Sequence, residues 1–392
     1  MPGRIAPLFE YLKPLEEAVD EIANTWRPDD PEYRADVYRQ IMMQFSYGYF
    51  AFFHADPEHP DWAPLWNPVY TLQPNPDDIY LYCPISSDYS YRITGNRGTV
   101  KMLTIDTQLS LSGMPWENDY TGAYYHDIDD GDLKIDPNGD FEILLSTERP
   151  AGHTGNWLKI EPGCRVLMTR YRSYDWENEI DPVMSVECLN PTGLKKRLSP
   201  DEILERVDHM ARMPVRATKL FYGMQNAVKA SVGINVFEPA RYGGALSRQI
   251  YLPAVFEFED DEALILETEL PVVRRYWNFQ LNDPYFNAVE YVYRLSSTNG
   301  HFAKISADGK FRAVISLTDP GVPNWLDPAG FKQGTIYGRW YDCDSSPTPT
   351  LKRVKFADLR KHLPADTPSV TPRERAEELR RRVRACQRRR RW

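Results

Sequence analysis

The spacing of hydrophobic residues changes from helical to strand-like near residue 79. Apolar residues recur at three- and four-residue steps over residues 8–24 and 31–55, which predicts two helices packed on a β layer. From 79 to about 190, and again from 251 to 341, short runs rich in Val, Ile, Tyr and Phe alternate with Gly, Asn and Pro turns. The pattern therefore predicts a mostly-β chain with an N-terminal pair of helices.

Two further helices are predicted outside the β regions. Ser-Pro-Asp-Glu at residues 199–202 has the spacing of a capping box, with Pro at the first helical position. We expect Pro214 to kink or break this helix, and a second helix to continue to Ala230. Thr-Pro-Arg-Glu at 371–374 repeats the capping signal and predicts a C-terminal helix.

The two β regions repeat each other at a nearly constant offset. Lys-Ile-Asp-Pro-Asn-Gly-Asp-Phe at 134–141 aligns with Lys-Ile-Ser-Ala-Asp-Gly-Lys-Phe at 304–311, an offset of 170 residues. Asn-Trp-Leu at 156–158 recurs at 324–326, and we expect its Asn to bond turn amides while its Trp anchors a corner in the core. Matching identities in one register predict an internal duplication.

The predicted fold is mainly β with flanking helices, built from two tandem homologous antiparallel β-sandwich or jelly-roll-like units. Each unit ends on a strand that carries an arginine, Arg170 in the first and Arg339 in the second. Upstream, residues 100–106 are expected to match 275–281. The predicted segments are an N-terminal helical part and loop (1–65), the first unit (66–195), a helical connector (196–232), the second unit (233–360) and an Arg-rich helical or disordered tail (361–392).

Composition and charge limit the functional classes. Hydrophobic residues make up 42% and charged residues 26% of the 392 residues, as in ordinary globular proteins. Aromatic residues reach 13%, which favours thick sandwich cores or an aromatic-lined pocket. The total charge is −9, but residues 373–392 hold ten Arg against three Glu, so the remainder carries −16. An acidic body repels nucleic acid, and we predict no such partner.

Signals for membranes, metals and cofactors are missing from the sequence. The first 20 residues lack an apolar signal-peptide core and no run of 18 apolar residues occurs, so we expect a cytoplasmic protein without a membrane span. The five Cys form no CxxC pair and the seven His are scattered, so we predict no metal and no cofactor. Acidic runs at 127–132 and 257–262 are expected to be solvated turns rather than Ca²⁺ loops.

The Arg-rich tail has two interpretations. It could be a mobile, solvated end, or it could dock on the acidic body or on another anionic surface. Its predicted helix has few apolar residues, so we expect the mobile form.

Three motifs of the second unit resemble the bacterial family called domain of unknown function 1214. They are Arg-Tyr-Trp-Asn-Phe-Gln-Leu-Asn-Asp at 275–283, the stretch 296–309, and Asp-Pro-Gly-Val-Pro-Asn-Trp-Leu at 319–326. Asn-Pro-Asp-Asp-Ile-Tyr at 75–80 is similar to the signature of a companion family, domain of unknown function 1254. The resemblance implies paired β-sandwich domains and no particular reaction.

The polar loop at residues 296–301 is the main candidate for chemistry. It reads Ser-Ser-Thr-Asn-Gly-His within an aromatic region, and its first-unit counterpart at 126–131 has a different sequence, as expected if one copy has specialised. His301 could act as a general acid or base, with Asn299 as a hydrogen-bond donor to substrate. The alternative is a loop of turn residues with a solvated or hydrogen-bonded His.

The strand and turn at residues 276–283 supply further candidates. Tyr276 and Trp277 point to opposite faces of the strand, so only one of them can line a pocket. Gln280 could orient a substrate. Asp283 could take part in catalysis or could simply cap the following turn.

Three more residues are candidates for substrate binding. Arg339 either contacts substrate or pairs with a buried acid, as Arg170 would in the other copy. Asn75 and Asp78 belong to an Asn-Pro-Asp-Asp turn that either fixes its own backbone or brings adjacent carboxylates to a site.

Together these residues predict an enzyme that acts on a hydrophobic or aromatic small molecule, such as a lipid-, terpenoid- or sterol-like compound. The site would lie at the interface of the two β units. The reaction would be cofactor-free acid/base chemistry of a lyase, isomerase or hydrolase type. The alternative is a non-catalytic protein that binds carbohydrate or another small ligand, and a homo-oligomer is compatible with both.

Overall fold

The computed structural model describes residues 8–23, 30–114, 124–242 and 246–389. Within these ranges, seventeen strands form four sheets. The sheets belong to two consecutive β units, with helices before, between and after them.

The first unit is a sandwich of two sheets. Its strands are β1 (Ala63–Pro64), β2 (Asp78–Pro84), β3 (Tyr91–Asn96), β4 (Met102–Gln108), β5 (Tyr124–Asp129), β6 (Asp140–Ser146), β7 (Asn156–Lys159), β8 (Val166–Arg172) and β9 (Val183–Cys188). One sheet has the strand order β1-β2-β8-β4-β5 and the other β7-β6-β3-β9. The apolar inner faces of the two sheets form the core of this unit, which includes Ile93, Ile105, Ile143 and Leu167.

The second unit repeats this arrangement. Its strands are β10 (Gln249–Glu257), β11 (Glu262–Thr268), β12 (Arg274–Asn282), β13 (Ser297–Asn299), β14 (Phe311–Ile315), β15 (Trp325–Leu326), β16 (Gln333–Cys343) and β17 (Thr350–Lys355). The sheets have the orders β10-β16-β12-β13 and β15-β14-β11-β17. If β10 to β17 are matched in order with β2 to β9, the strands of both sheets stand in the same order as in the first unit. The predicted duplicated β fold is therefore confirmed.

The repeated sequence motifs form the same local structures in both units. Gly139 and Gly309 have φ of 92° and 81°, the left-handed conformation that their hairpin turns require. The Asn156 side chain accepts from Lys134 N and donates to two backbone carbonyls, and Asn324 makes the three equivalent bonds. The adjoining Trp side chains are only half-buried, so the expectation that they lie in the core is wrong.

The helices are α1 (Leu8–Tyr11), α2 (Pro14–Ala23), α3 (Pro31–Phe53), α4 (Pro200–Val232) and α5 (Pro372–Arg388). Both predicted capping boxes are present, at Ser199 and at Thr371. The predicted break at Pro214 is wrong, because α4 continues through it. Pro214 and its neighbours Met213 and Ala217 are buried, and this packing outweighs the hydrogen bond that Pro cannot make.

The C-terminal helix α5 is docked on the second unit. Arg382 is buried and donates to Tyr291 O, Ser297 O and Ser297 Oγ, and its guanidinium lies 4.6 Å from the centre of the Trp176 ring. Arg389 donates to the carbonyls of residues 76 and 77. The expected mobile tail is therefore wrong for residues 372–389, because buried arginines anchor the helix together with Ala385 and Cys386. Residues 390–392 lie outside the described part.

Candidate functional site

The β1-β2-β8-β4-β5 sheet of the first unit and the β10-β16-β12-β13 sheet of the second face each other through polar outer surfaces. Side chains two residues apart on a strand share one face. On β8, β12 and β16 these outward positions carry charged, amide and phenol groups, and all eight of them are buried. They are Arg170 and Arg172, Tyr276, Asn278 and Gln280, and Tyr337, Arg339 and Tyr341.

Asp77 links the loop before β2 to the second unit. Its carboxylate accepts from Tyr276 Oη at 2.5 Å, from Asn299 Nδ2 at 2.7 Å and from Trp176 Nε1 at 2.8 Å. Burial raises the pKa of Asp77, against the opposing effect of the Tyr276 and Asn299 hydrogen bonds. Asn75 completes this group, because its Nδ2 donates to Tyr276 Oη at 2.9 Å.

Asp78 forms a buried ion pair with Arg172. Arg172 Nε and Nη2 donate to the two carboxylate oxygens at 2.5 and 2.7 Å, and Nη1 donates to Gln249 Oε1 of the second unit. Burial acts to raise the pKa of Asp78, but the charge and hydrogen bonds of Arg172 outweigh it and the pKa is lowered. The pair is therefore ionised and joins the two units.

Arg339 lies in the same interface with a different set of partners. Its Nη1 donates to Gln280 Oε1 at 2.7 Å and to Asn278 Oδ1 at 3.4 Å, and its Nη2 donates to Gln73 Oε1 at 2.9 Å. The side chain is 2% exposed. All three acceptors are neutral amides, and within the described ranges no carboxylate forms an ion pair with it.

The segment that supplies Gln73 has strained backbone. Tyr70, Leu72 and Gln73 have φ of 57°, 60° and 49°, in the left-handed region that costs roughly 1–2 kcal/mol for each such residue. Strain of this kind persists only where surrounding contacts enforce it, and it is concentrated at functional sites. Here the contacts come from the second unit, through Arg339 and through Gln280, which donates to Pro74 O.

A group of aromatic side chains, which we call the tyrosine cluster, adjoins Arg339. Tyr337 and Tyr242 have hydroxyl oxygens 3.3 Å apart, and Tyr251 packs against both rings. Arg339 lies 5.7 Å from the centre of the Tyr251 ring. Phe286 packs edge-on against Tyr337, and apolar residues of α3, α4 and the first unit complete the surrounding apolar cluster. Tyr242 and Tyr251 are only half-buried, so this part of the interface can be reached from outside.

His301 does not join this interface. Its side chain is 43% exposed, and its Nε2 lies 3.7 Å from Asp175 Oδ1. Asn299 is nearby in sequence, but its amide is occupied by Asp77 and by Tyr174 O, and its oxygen accepts from the backbone of residues 301 and 302. Asp129 accepts in the same way from Gly131 in the first unit, which makes this a shared turn.

Two other predicted residues lie elsewhere. Trp277 is in the apolar core of the second unit, packed against Phe311, while Tyr276 faces the interface. Asp283 accepts from Tyr285 N and Asn287 N and lies 3.4 Å from Arg39 of α3. The structure therefore brings Asn75, Asp78, Tyr276, Gln280 and Arg339 into one interface, and leaves the side chains of His301, Asp283 and Trp277 outside it.

An open groove borders His301. It has a volume of about 610 Å³ and runs between α5 and the edge of the second unit, where Phe302, Trp325 and Val370 supply apolar surface. Arg375 covers one side of Trp325, with its guanidinium 5.5 Å from the ring centre. This groove is distinct from the interface between the units.

Several interface residues were missed as candidates from the sequence, among them Gln73, Arg172, Tyr251, Asn278 and Tyr337. A signal was available for most of them, because polar residues at alternate positions of otherwise apolar strands indicate a second buried face. The described residues contain no group of three or more His, Cys, Asp or Glu side chains placed to hold a metal ion. A bilayer-crossing helix is also not found in the described ranges.

Comparisons with known proteins agree with the fold. Residues 85–175 match the family described as protein of unknown function (DUF1214). The resemblance to this family is confirmed, although the match falls in the first β unit and the motifs that suggested it fall in the second. The likeness of residues 75–80 to the companion family stays a prediction. No curated protein matches this sequence.

Among solved structures, the chain is similar to an uncharacterized protein from Burkholderia cenocepacia. The two are 27% identical, with a TM-score of 0.81, over 90% of this chain and 97% of the other. A protein from Vibrio parahaemolyticus is 13% identical over 88% of this chain and 98% of the other, with a TM-score of 0.46, too low to support a structural argument. The chain is thus similar to a crystallised bacterial protein over nearly its whole length, and its β region 85–175 matches a family defined without a function.

Proposed function

We propose that the protein binds a hydrophobic or aromatic small molecule at the interface of its two β units, in the tyrosine cluster beside Arg339. One observation carries the proposal. Phenol and apolar side chains from both units and both long helices converge next to a buried arginine, and the outermost rings, Tyr242 and Tyr251, are half-buried. An apolar surface with a few fixed polar groups is the usual composition of a small-molecule site. The strained segment from Tyr70 to Gln73 supports the same location.

Binding alone is proposed here, and acid/base catalysis by His301, Asn299 and Asp283 stays a prediction. Acid/base chemistry needs its groups within hydrogen-bond reach of one substrate. His301 is exposed, Asn299 is occupied by Asp77, and Asp283 contacts α3 and its own turn. These three residues do not converge, so the geometry favours the alternative of a small-ligand binding protein.

Thermal-shift screening of fatty acids, terpenoids, sterols and simple aromatics, followed by calorimetry of the hits, tests the proposal. We expect Tyr251→Ala to weaken binding of a hit at least tenfold, because the ring forms part of the site. The control variant Tyr38→Ala lacks a tyrosine ring of α3 that is 64% exposed, and it should bind the same hit with wild-type affinity. Equal affinity of both variants, or no hit at all, would contradict the proposal.

The groove beside α5 supports a second candidate function, carbohydrate binding. It is open and has Trp325 and Phe302 in its wall, and aromatic rings beside polar groups suit sugars. Titration with neutral oligosaccharides, followed by the Trp325→Ala variant, tests this function separately. Binding that is unaffected by Trp325→Ala would exclude the groove as the sugar site.

A further inference from the structure

The two units differ at the partner of their equivalent arginines. Strand pairing places Thr104 opposite Arg170 in the first unit and Asn278 opposite Arg339 in the second. The residue two positions further on is Asp106 in the first unit and Gln280 in the second, so these two are also equivalent. The first arginine thus has a carboxylate partner, with Arg170 Nη2 at 3.3 Å from Asp106 Oδ2. The second has a neutral amide in its place.

Neighbouring carboxylates do not replace the missing one. Asp78 is bound through both oxygens by Arg172. Asp77 is occupied by Tyr276, Asn299 and Trp176. Asp106, in the other sheet, pairs with Arg170. Arg339 is therefore a buried cation that interacts with the charge of Asp78 but donates its hydrogen bonds only to neutral acceptors.

A buried guanidinium without a counter-ion is costly, because burial removes its hydration and amide oxygens return only part of that free energy. Arginine has five N–H donors. Those on Nη1 and Nη2 face Gln280, Asn278 and Gln73, which are all neutral amides. The missing partner is thus an anionic acceptor next to the Tyr251 ring.

We propose that the ligand of the tyrosine cluster carries a carboxylate that pairs with Arg339, so that the protein binds hydrophobic or aromatic carboxylic acids. This inference rests on the proposed function, since the body of the acid occupies the tyrosine cluster. A single negative charge matches the single guanidinium of Arg339 at this place. The first unit has an ion pair at the equivalent place, between Asp106 and Arg170.

Calorimetric titration with two matched pairs of probes tests the inference: benzoate with benzamide, and decanoate with decanol. We expect the wild-type protein to bind at least one acid ten or more times more tightly than its neutral match. Gln280→Glu supplies the carboxylate that the first unit has at this place, and should abolish that preference. Asp106→Asn makes the reverse change at the equivalent position and should retain it.

Circular dichroism and thermal melting establish that each variant is folded, and Arg339→Gln provides a second route to the same loss if Gln280→Glu is unstable. Equal binding of the acid and its neutral match by the wild-type protein would overturn the inference but leave the proposed function intact. An acid preference that survives both Gln280→Glu and Arg339→Gln would also overturn it. Failure of all four probes to bind would contradict the inference and the proposed function together.

Discussion

Asp283 is a buried carboxyl that accepts hydrogen bonds from the backbone of its own turn. Burial raises its pKa to about 6, against the opposing charge of Arg39. The folded protein therefore holds this proton more tightly than the unfolded chain does. The contribution of the group to stability is fully present below about pH 4, the ordinary carboxyl pKa, and is lost as the pH rises through 6.

Replacing Asp283 by Asn should therefore flatten the dependence of stability on pH. At roughly 1.4 kcal/mol for each pKa unit, the wild-type protein should lose about 3 kcal/mol through this group between pH 4 and 7, and the variant should not. Urea unfolding at pH 4 and pH 7 measures the difference. Asp36→Asn, which removes the other acid beside Arg39, is the control. Parallel pH profiles for wild type and Asp283→Asn would show that the carboxyl has no such effect.

At the scale of elements, the clearest repeated feature is the corner held by Asn156 in one unit and Asn324 in the other. Each side chain makes three hydrogen bonds to the backbone. At about 1 kcal/mol for each bond, Asn156→Ala and Asn324→Ala should each lower the free energy of unfolding by roughly 2–3 kcal/mol. Denaturant titration gives both values, and a loss below about 0.5 kcal/mol at either site would contradict an equivalent role.

Helix α5 provides a second prediction at this scale. Arg382→Ala removes donors to three acceptors and a cation over the Trp176 ring, so we expect a loss of roughly 2–4 kcal/mol. Arg381→Ala, one residue earlier and exposed, should change stability by no more than about 0.5 kcal/mol. A mobile tail would instead give two equally small effects in the same denaturant titration.

For the whole molecule, the buried ion pair of Asp78 and Arg172 joins the two units. Arg172→Met leaves the Asp78 carboxylate buried without its cation, which should cost roughly 3–5 kcal/mol. Arg92→Met, which breaks two partly exposed ion pairs within one unit, should cost at most about 1 kcal/mol. Thermal and denaturant unfolding compare the two, and equal small losses would mean that the interface contributes little to stability.

The sequence was sufficient for the duplication because identities at Gly139 and Gly309, and at the two Asn-Trp-Leu corners, fix the register. It was insufficient upstream. Residues 100–106 and 275–281 share no such anchor, and matching them implies an offset of 175 residues between the units. In the structure, Thr104 pairs with Arg170 and Asn278 pairs with Arg339, so Thr104 is equivalent to Asn278 and the offset is 174. A one-residue slip exchanges the two faces of a strand, so the equivalence of Asp106 and Gln280 was hidden.

The candidate site was predictable only in part. Arg339, Gln280 and Tyr276 were recognisable as polar or aromatic residues in strands, and they lie together. His301 was singled out because its loop differs between the copies, but that loop forms the same turn in both, around Asn299 and Asp129. The loops of the two copies differ in sequence but not in structure. The difference that alters a buried charge lies on a strand, where Gln280 takes the place of Asp106.

A crystal of the protein soaked with 4-bromobenzoate tests the central claim most directly, because the anomalous signal of bromine locates the ligand without prior assumptions. We predict a bromine peak in the tyrosine cluster, near Tyr251 and Tyr337, with the carboxylate bound to Arg339. A peak confined to the groove beside His301 and Trp325, or no ordered bromine, would contradict a ligand site between the two β units.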